Sequence, residues 1–316
     1  MDTTHKAIGI DFGGTTIKSA VVQAGRLLAH GDTIDTQVHE GPASLIDEMV
    51  GVIAALREEH PEITAVGVGL PGFIDSVNGI VHELTNVPGW DEVPLRQILR
   101  DRTGLPTIIE NDAKAMAYGE VKYGAAQNCR FVLCITLGTG VGGALVLDGK
   151  VYRGAQLAAG EIGHASIDYR GTPGLYNNPG DLEVFVGNQR IAERAVQLYK
   201  EAGQEKSVED CTPRDLTEAA HAGDPVAKGL WESIGTELGC AFSNAIWLLN
   251  PDAIVIGGGV AQAGDILFDP IKRTIRERTL PLFYDNLRIV PAALGNEAGI
   301  IGNAVLALEA AGRGVR

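Results

Sequence analysis

The chain has 316 residues, 45% of them hydrophobic, enough apolar material for one large or two medium domains. A formal net charge of −14 sets its surface against nucleic-acid backbones, although local fields leave a phosphorylated ligand open. No run approaches the roughly 20 apolar residues of a membrane helix, and the opening "MDTTHKAIGID" has no basic region followed by a long apolar stretch, so neither a span nor a signal peptide is expected.

Residues 7–12 and 17–22 read as two strands of a hairpin turning through "GGTT", and "RLLAHGDTIDT" adds a third strand. "PASLIDEMVGVIAALREEH" places Leu45, Met49, Val52, Ile53 and Leu56 at helical spacing and ends before Pro61. "ITAVGVGLPG" is a buried strand entering a Pro-Gly turn. "VPLRQILRDRTG" is a helix stopped by Gly104. "PTIIENDAKAMAYGEVKYG" is a strand that breaks into a helix at Asn111 and Asp112.

The pattern then restarts. "FVLCITLGTGVGGALVLDGKVYRG" repeats strand, glycine turn, strand, and a long helix and the strand "DAIVIGGGV" follow. Strands first and helices later, twice over, predict two related α/β halves. The expected division is 1–117 with about 300–316, where the last helix packs back, and 118–299. Cys129, Cys134, Cys211 and Cys240 form no C-x-x-C pair and read as reduced thiols of a cytoplasmic protein.

Three glycine turns follow apolar strands: Asp11-Phe12-Gly13-Gly14-Thr15-Thr16, Gly138-Thr139-Gly140-Val141-Gly142-Gly143 and Gly257-Gly258-Gly259. Glycine lets backbone N–H groups approach an anion closely. The first turn lacks Walker spacing, and a strand follows it where a dinucleotide fingerprint needs a helix. Any one turn alone is a tight hairpin; three in a duplicated layout point to phosphate binding. Asp112 at a strand-to-helix junction reads, from this segment alone, first as a helix cap.

The ordered set "IGIDFGGTTIK", "GVGLPGFID", "ENDAKAMAYGE", "LGTGVGGALV", "GEIGH" and "IVIGGG" resembles the ROK sugar kinases over roughly residues 7 to 305. That resemblance implies the two-lobed actin/Hsp70/hexokinase-like (ribonuclease H-like) α/β fold with a central cleft, ATP and Mg2+ as cofactors, and a homodimer. It implies that Asp11 holds magnesium through water, that Gly13, Gly14 and Thr15 contact the transferring phosphate, and that Lys18 assists electrostatically. Thr136, Gly138 and Thr139 would hold the other side of the phosphate chain, and Gly257 and Gly258 would approach the adenosine. Asp112 would be the general base. Asn86, Asn111, Glu161, His164 and Glu183 would join it around the sugar, with Asp75 shaping the pocket or serving an ordinary turn and Trp90 in packing.

The resemblance implies transfer of the γ-phosphate of ATP to the 6-hydroxyl of a hexose. Glucose leads; mannose, fructose and N-acetylhexosamines stay open, as does polyphosphate as donor. A sugar-responsive regulator would carry a helix-turn-helix domain ahead of Asp11, for which the expected start leaves no room. A silent sugar sensor would not need Asp11, Asp112 and all three turns.

One departure stands out. Many members follow "GEIGH" with C-x-C-G-x-x-G-C, which binds a structural zinc together with the histidine, and then a Leu-Glu pair. Here the stretch is "HASIDYRGTPGLYNNPGDLE", without cysteine, so no zinc is expected. Tyr169, Tyr176, Asn177 and Asn178, stiffened by Pro173 and Pro179, are the groups left to order the loop, with help from bound sugar.

Overall fold

The computed structural model describes residues 5–39, 41–84 and 87–312. The chain begins with β1 (Lys6–Phe12), β2 (Thr16–Gln23), β3 (Arg26–His30), β4 (Ile34–Asp35), α1 (Pro42–Glu59), β5 (Ile63–Leu70), β6 (Phe73–Asp75) and β7 (Ile80–Glu83). Then come α2 (Leu95–Thr103), β8 (Thr107–Asn111), α3 (Asp112–Tyr123), β9 (Val132–Leu137), β10 (Val141–Leu147) and β11 (Lys150–Tyr152). The remainder is largely helical: α4 (Glu183–Val186), α5 (Asn188–Glu201), α6 (Pro213–His221), α7 (Pro225–Leu249), β12 (Ala253–Gly257), α8 (Asp265–Arg278), α9 (Pro281–Tyr284), β13 (Arg288–Pro291) and α10 (Ala298–Gly312). Among the described residues no helix is long and apolar enough to cross a membrane.

Two compact units share these elements. Unit 1 is Met1–Asn128, Lys150–Ala159 and Ala293–Arg316; unit 2 is Cys129–Gly149 and Gly160–Ala292. A division after residue 117 would cut α3, an unbroken helix of 12 residues. The first crossing comes only after α3 has ended. The segment Lys150–Ala159, read from sequence with the second half, belongs to unit 1.

In unit 1 the strands run in the order β3-β2-β1-β5-β8. β1 and β2 form the expected antiparallel hairpin, and β5 and β8 add in parallel. Alternation along β1 sends Ile8, Ile10 and Phe12 into a core with Leu45, Met49 and Ile53 of α1 and Leu95 and Leu99 of α2. Ala7, on the other face, packs with Ile300, Ile301 and Ala304 of α10. In unit 2, β10-β9-β12-β13 repeats the succession β2-β1-β5-β8, again one antiparallel hairpin extended by parallel strands. Its core joins Leu133, Ile135, Ile254 and Ile256 to Trp231, Ile234, Leu238 and Phe242 of α7.

Helix α10 sits unusually close to the unit 1 sheet. A Cβ placed on Gly67 would stand 2.0 Å from the Asn303 carbonyl oxygen. Asn303 is 0% exposed in a mostly apolar helix, and its Nδ2 donates to the Ile10 carbonyl at 2.9 Å. That bond fixes the backbone one residue before Asp11.

Gly67→Ala therefore forces α10 off the sheet and should cost about 1–3 kcal/mol. Gly51→Ala, on the exposed face of α1 with open space around it, should gain about 0.5–1 kcal/mol by helix propensity. Urea midpoints of the two variants, moving in opposite directions, check both.

Candidate active site

Parallel pairing aligns strand ends. In unit 1, Asp11 of β1 is in register with Gly69 of β5, and Gly69 with Glu110 of β8. Asp11 and the junction Asn111-Asp112 thus emerge at the same C-terminal edge of one sheet. They are two strands apart, roughly 10 Å at the usual spacing. Ligands of open α/β sheets bind outside this edge.

Asp11 sits at the end of β1, directly across the hairpin from Lys18 of β2. Cross-strand partners project to the same face. Burial pushes the Asp11 carboxyl above its ordinary range, and the nearby Lys18 ammonium pulls it part of the way back. A Cβ on Gly299, in the first turn of α10, would stand 3.2 Å from the Asp11 carboxylate, so the positive end of that helix also faces the acid. The turn itself is fixed by Gly13 N–H donating to Thr16 O at 2.9 Å and Thr36 Oγ1 donating to Gly14 O at 2.8 Å. Thr15 is exposed at its tip.

At the β8–α3 junction the helix cap is Asn111, whose Oδ1 accepts the Lys114 N–H at 3.2 Å. Asp112 is the first helical residue, half-buried, with its Oδ1 accepting the Ala113 N–H at 2.8 Å. The capping alternative read for Asp112 thus falls to its neighbour. Glu110 anchors the junction from behind: its Oε1 accepts the Asn111 N–H at 3.0 Å and its Oε2 accepts Arg153 Nε at 2.8 Å. The Glu110 side chain is 3% exposed, and Arg153 supplies the compensating charge.

Unit 2 repeats the edge with different chemistry. Thr136 of β9 is in register with Gly257 of β12 and opposite Gly142 of β10. The sequence Thr136-Leu137-Gly138 thus occupies the place that Asp11-Phe12-Gly13 holds in unit 1. The turn is shorter than its glycines suggest, because Val141 to Gly143 belong to β10. Gly138 N–H donates to Gly140 O at 3.0 Å, and Gly138 O accepts the Asn188 N–H at the start of α5 at 2.9 Å. Thr139 is exposed. Gly258 has φ of 86° and lies against the Leu137 carbonyl, 2.1 Å from where a Cβ would be, so glycine is needed there for the fold as well as for any ligand.

Glu183 opens α4, and its Oε2 accepts the Val141 N–H at 2.8 Å. Glu183 is half-buried and joins the loop behind "GEIGH" to the glycine turn. Glu161 is exposed, and His164 ends the short helical turn Ile162–His164. Asn86 lies outside the described residues. Trp90 is 3% exposed and packs edge-on against Phe12 at 5.4 Å, so it belongs to the core. Asp75 accepts N–H groups of Val77 and Asn78 and shapes a local turn.

Unit 1 thus gathers Asp11, Gly13, Gly14, Thr15, Lys18, Asn111 and Asp112 at one edge. Unit 2 gathers Thr136, Gly138, Thr139, Gly257, Gly258 and Glu183 at the corresponding edge of its own sheet. Sequence reasoning missed Glu110, Arg153 and Asn303. The last had a signal, a lone asparagine in "GIIGNAVLAL".

The ROK family model matches residues 7–310. The glucokinase of Halalkalibacterium halodurans is 36% identical, over 93% of this chain and 92% of its own length. A ROK family glucokinase from Streptomyces griseus, solved in complex with glucose and AMPPNP, superposes with a TM-score of 0.77 at 31% identity, covering 96% of this chain and 99% of that one. A ROK family transcriptional regulator, a homolog of the E. coli MLC protein, superposes with a TM-score of 0.85 at 29% identity, covering 95% of this chain and 77% of that one. The duplicated α/β topology is therefore the actin-like fold of these sugar kinases, and this chain belongs to the ROK family.

Proposed function

We propose that the chain is an ATP-dependent hexose kinase that phosphorylates the 6-hydroxyl, with glucose as the leading acceptor ahead of mannose, fructose and N-acetylhexosamines. The observation that carries the reading is the common strand edge in unit 1, which sets a half-buried acid at a phosphate-type turn two strands from a second acid at a helix start. The glucokinase likeness over almost the whole chain supports it.

In this reading Gly13, Gly14 and Thr15 receive the γ-phosphate. Thr136, Gly138 and Thr139 hold the rest of the phosphate chain, and Gly257 and Gly258 approach the adenosine. Asn86, Asn111, Glu161, His164 and Glu183 take sugar hydroxyls, as carboxylates and imidazoles do well. Asp112 accepts the proton of the 6-hydroxyl while that oxygen attacks the γ-phosphorus. The bond from phosphorus to the bridging oxygen breaks, and ADP leaves. Alignment of the reacting groups supplies much of the acceleration.

A single half-buried carboxylate beside such a turn suits magnesium, which takes one or two carboxylates with phosphate oxygens and keeps its waters. When bound it neutralises charge on the phosphates. Asp11 would hold it through water, with Lys18 adding positive charge to the same face. A homodimer belongs to the same reading. Trp247, Leu248, Leu280 and Leu282 of unit 2 are large exposed apolar residues, 52%, 84%, 53% and 80% accessible, and a second copy would cover them. Sedimentation at twice the 33.3 kDa chain mass, and at one mass after Leu248→Glu with Leu282→Glu, is the expected outcome. We place the protein in the cytoplasm, where its four free cysteines stay reduced.

ADP release measured across a panel of hexoses, with ATP and polyphosphate as donors, tests the activity; no turnover with any hexose overturns it. Asp112→Asn should lower kcat by about 100- to 10,000-fold with hexose affinity within a few-fold of wild type. Ordinary turnover in that variant would remove Asp112 as base.

Asp11→Asn separates stability from function. Its folded-state pKa is raised, so the protonated form is the one the fold favours. The ionised form costs stability progressively as pH rises from the ordinary value of 3.8 through the folded one. Without ligands, the asparagine variant should melt higher than wild type at neutral pH, and the gap should close in acid, while turnover is lost. Calorimetry at the two pH values reads the sign.

A further inference from the structure

The residues behind "GEIGH" do not fit the zinc that many relatives carry. Residues 165–183 hold no cysteine, and among the described residues no group of three or more His, Cys, Asp or Glu is placed to hold a metal ion. Leu182-Glu183 is preceded by Asp181.

That carboxylate is built into the loop. Asp181 is 1% exposed, and its Oδ1 accepts the Val184 N–H at 3.2 Å. Its Oδ2 lies 3.8 Å from Nδ1 of His164, a buried nitrogen with no hydrogen-bond partner among the described residues. A Cβ on Gly174 would stand 1.7 Å from the same Oδ2, so the loop leaves a glycine-sized gap that the carboxylate fills.

The loop backbone holds these groups in register. Ser166 bridges to Asp181, Leu182 N–H donates to Ala165 O at 3.0 Å, and Pro173 bridges to Pro179. Asn178 Nδ2 donates to the His164 carbonyl at 2.8 Å, and the His164 ring meets Tyr176 edge-on at 4.8 Å. The expected order from bound sugar is therefore joined by order that the loop supplies itself. Of the groups singled out from sequence, Asn178 and Tyr176 take part, whereas Tyr169 is 75% exposed.

We propose that Asp181 replaces the zinc as the group that positions His164, accepting a hydrogen bond from Nδ1–H and leaving the Nε2 lone pair to accept from a sugar hydroxyl. Closing the gap by about 1 Å brings the pair to hydrogen-bond distance. A buried carboxylate needs such a donor, and a carboxylate behind an imidazole fixes both its tautomer and its orientation. The sugar end of this inference rests on the proposed role of His164; the pairing does not.

The test uses the full chain labelled with 15N-histidine, with the His164 signals assigned by their loss in His164→Gln. Wild type should show His164 as the Nδ1–H tautomer without ligands, and elemental analysis should find no stoichiometric zinc. In Asp181→Asn the carboxamide can turn its NH2 toward Nδ1, so the ring should shift to the Nε2–H tautomer, and KM for the hexose should rise about 10-fold with kcat less affected. Gly174→Ala keeps Asp181 but displaces it, and should move the tautomer in the same way while melting cooperatively. One zinc per chain, or a tautomer unchanged in both variants, overturns the pairing. A changed tautomer with unaltered hexose KM upholds the pairing and removes His164 from the sugar site.

Discussion

Everything proposed for this chain depends on the parallel ladder β1-β5-β8 ending in register. Backbone hydrogen bonds set Asp11 level with Gly69 and Gly69 level with Glu110. Two acids far apart along the chain thereby share one sheet edge, and no side-chain contact between them is needed to bring this about. Helix α10 secures the ladder from one face by close backbone approach at Gly67, and α1 and α2 secure it from the other through a branched apolar core. The Asn303 bond to the Ile10 carbonyl ties the C-terminal helix to the strand end that carries Asp11. Packing energy from distant parts of the chain is thus spent at the edge where chemistry is proposed.

The second unit applies the same architecture without the acid. Thr136 takes the position of Asp11, and the hydrogen bond from Val141 N–H to Glu183 draws the loop behind His164 toward the glycine turn. The contrast is physically sensible. A carboxylate at a phosphate turn is repulsive unless a cation stands between, whereas a hydroxyl and backbone N–H groups attract phosphate directly. In the proposed reading, the Asp11 edge would take a metal-bearing phosphate and the Thr136 edge a bare one. The partial burial of Asp11, costly to its ionised form, limits how far water screens its field.

Much of this was legible in the sequence, for local reasons. The hairpins showed through period-two alternation around glycine, and Gly104 stops α2 in the left-handed conformation its position implied. The repeated strand-turn-strand layout announced two related units. What stayed hidden was set by pairing at a distance. Asn and Asp are equally good caps, so only the backbone geometry gives the cap to Asn111 and leaves Asp112 as the first helical residue. Nothing near Arg153 in the sequence points to Glu110, which only the fold brings to it. The bond of Glu183 to the Val141 N–H is likewise set by pairing at a distance. The unit boundary lies beyond residue 117 because helix α3 carries no breaker there. Asp181 is singled out only by the fold, which buries it beside His164.

The central claim is that Asp11 and Asp112 serve one reaction at one strand edge. A crystal structure of this protein with a hexose and a non-hydrolysable ATP analogue tests it most directly. The account predicts the hexose 6-hydroxyl about 2.6–3.2 Å from an Asp112 carboxylate oxygen, with the terminal phosphate against Gly13, Gly14 and Thr15 and a cation on its Asp11 side. A hexose bound away from Asp112, or a terminal phosphate that leaves the β1–β2 turn untouched, would contradict it.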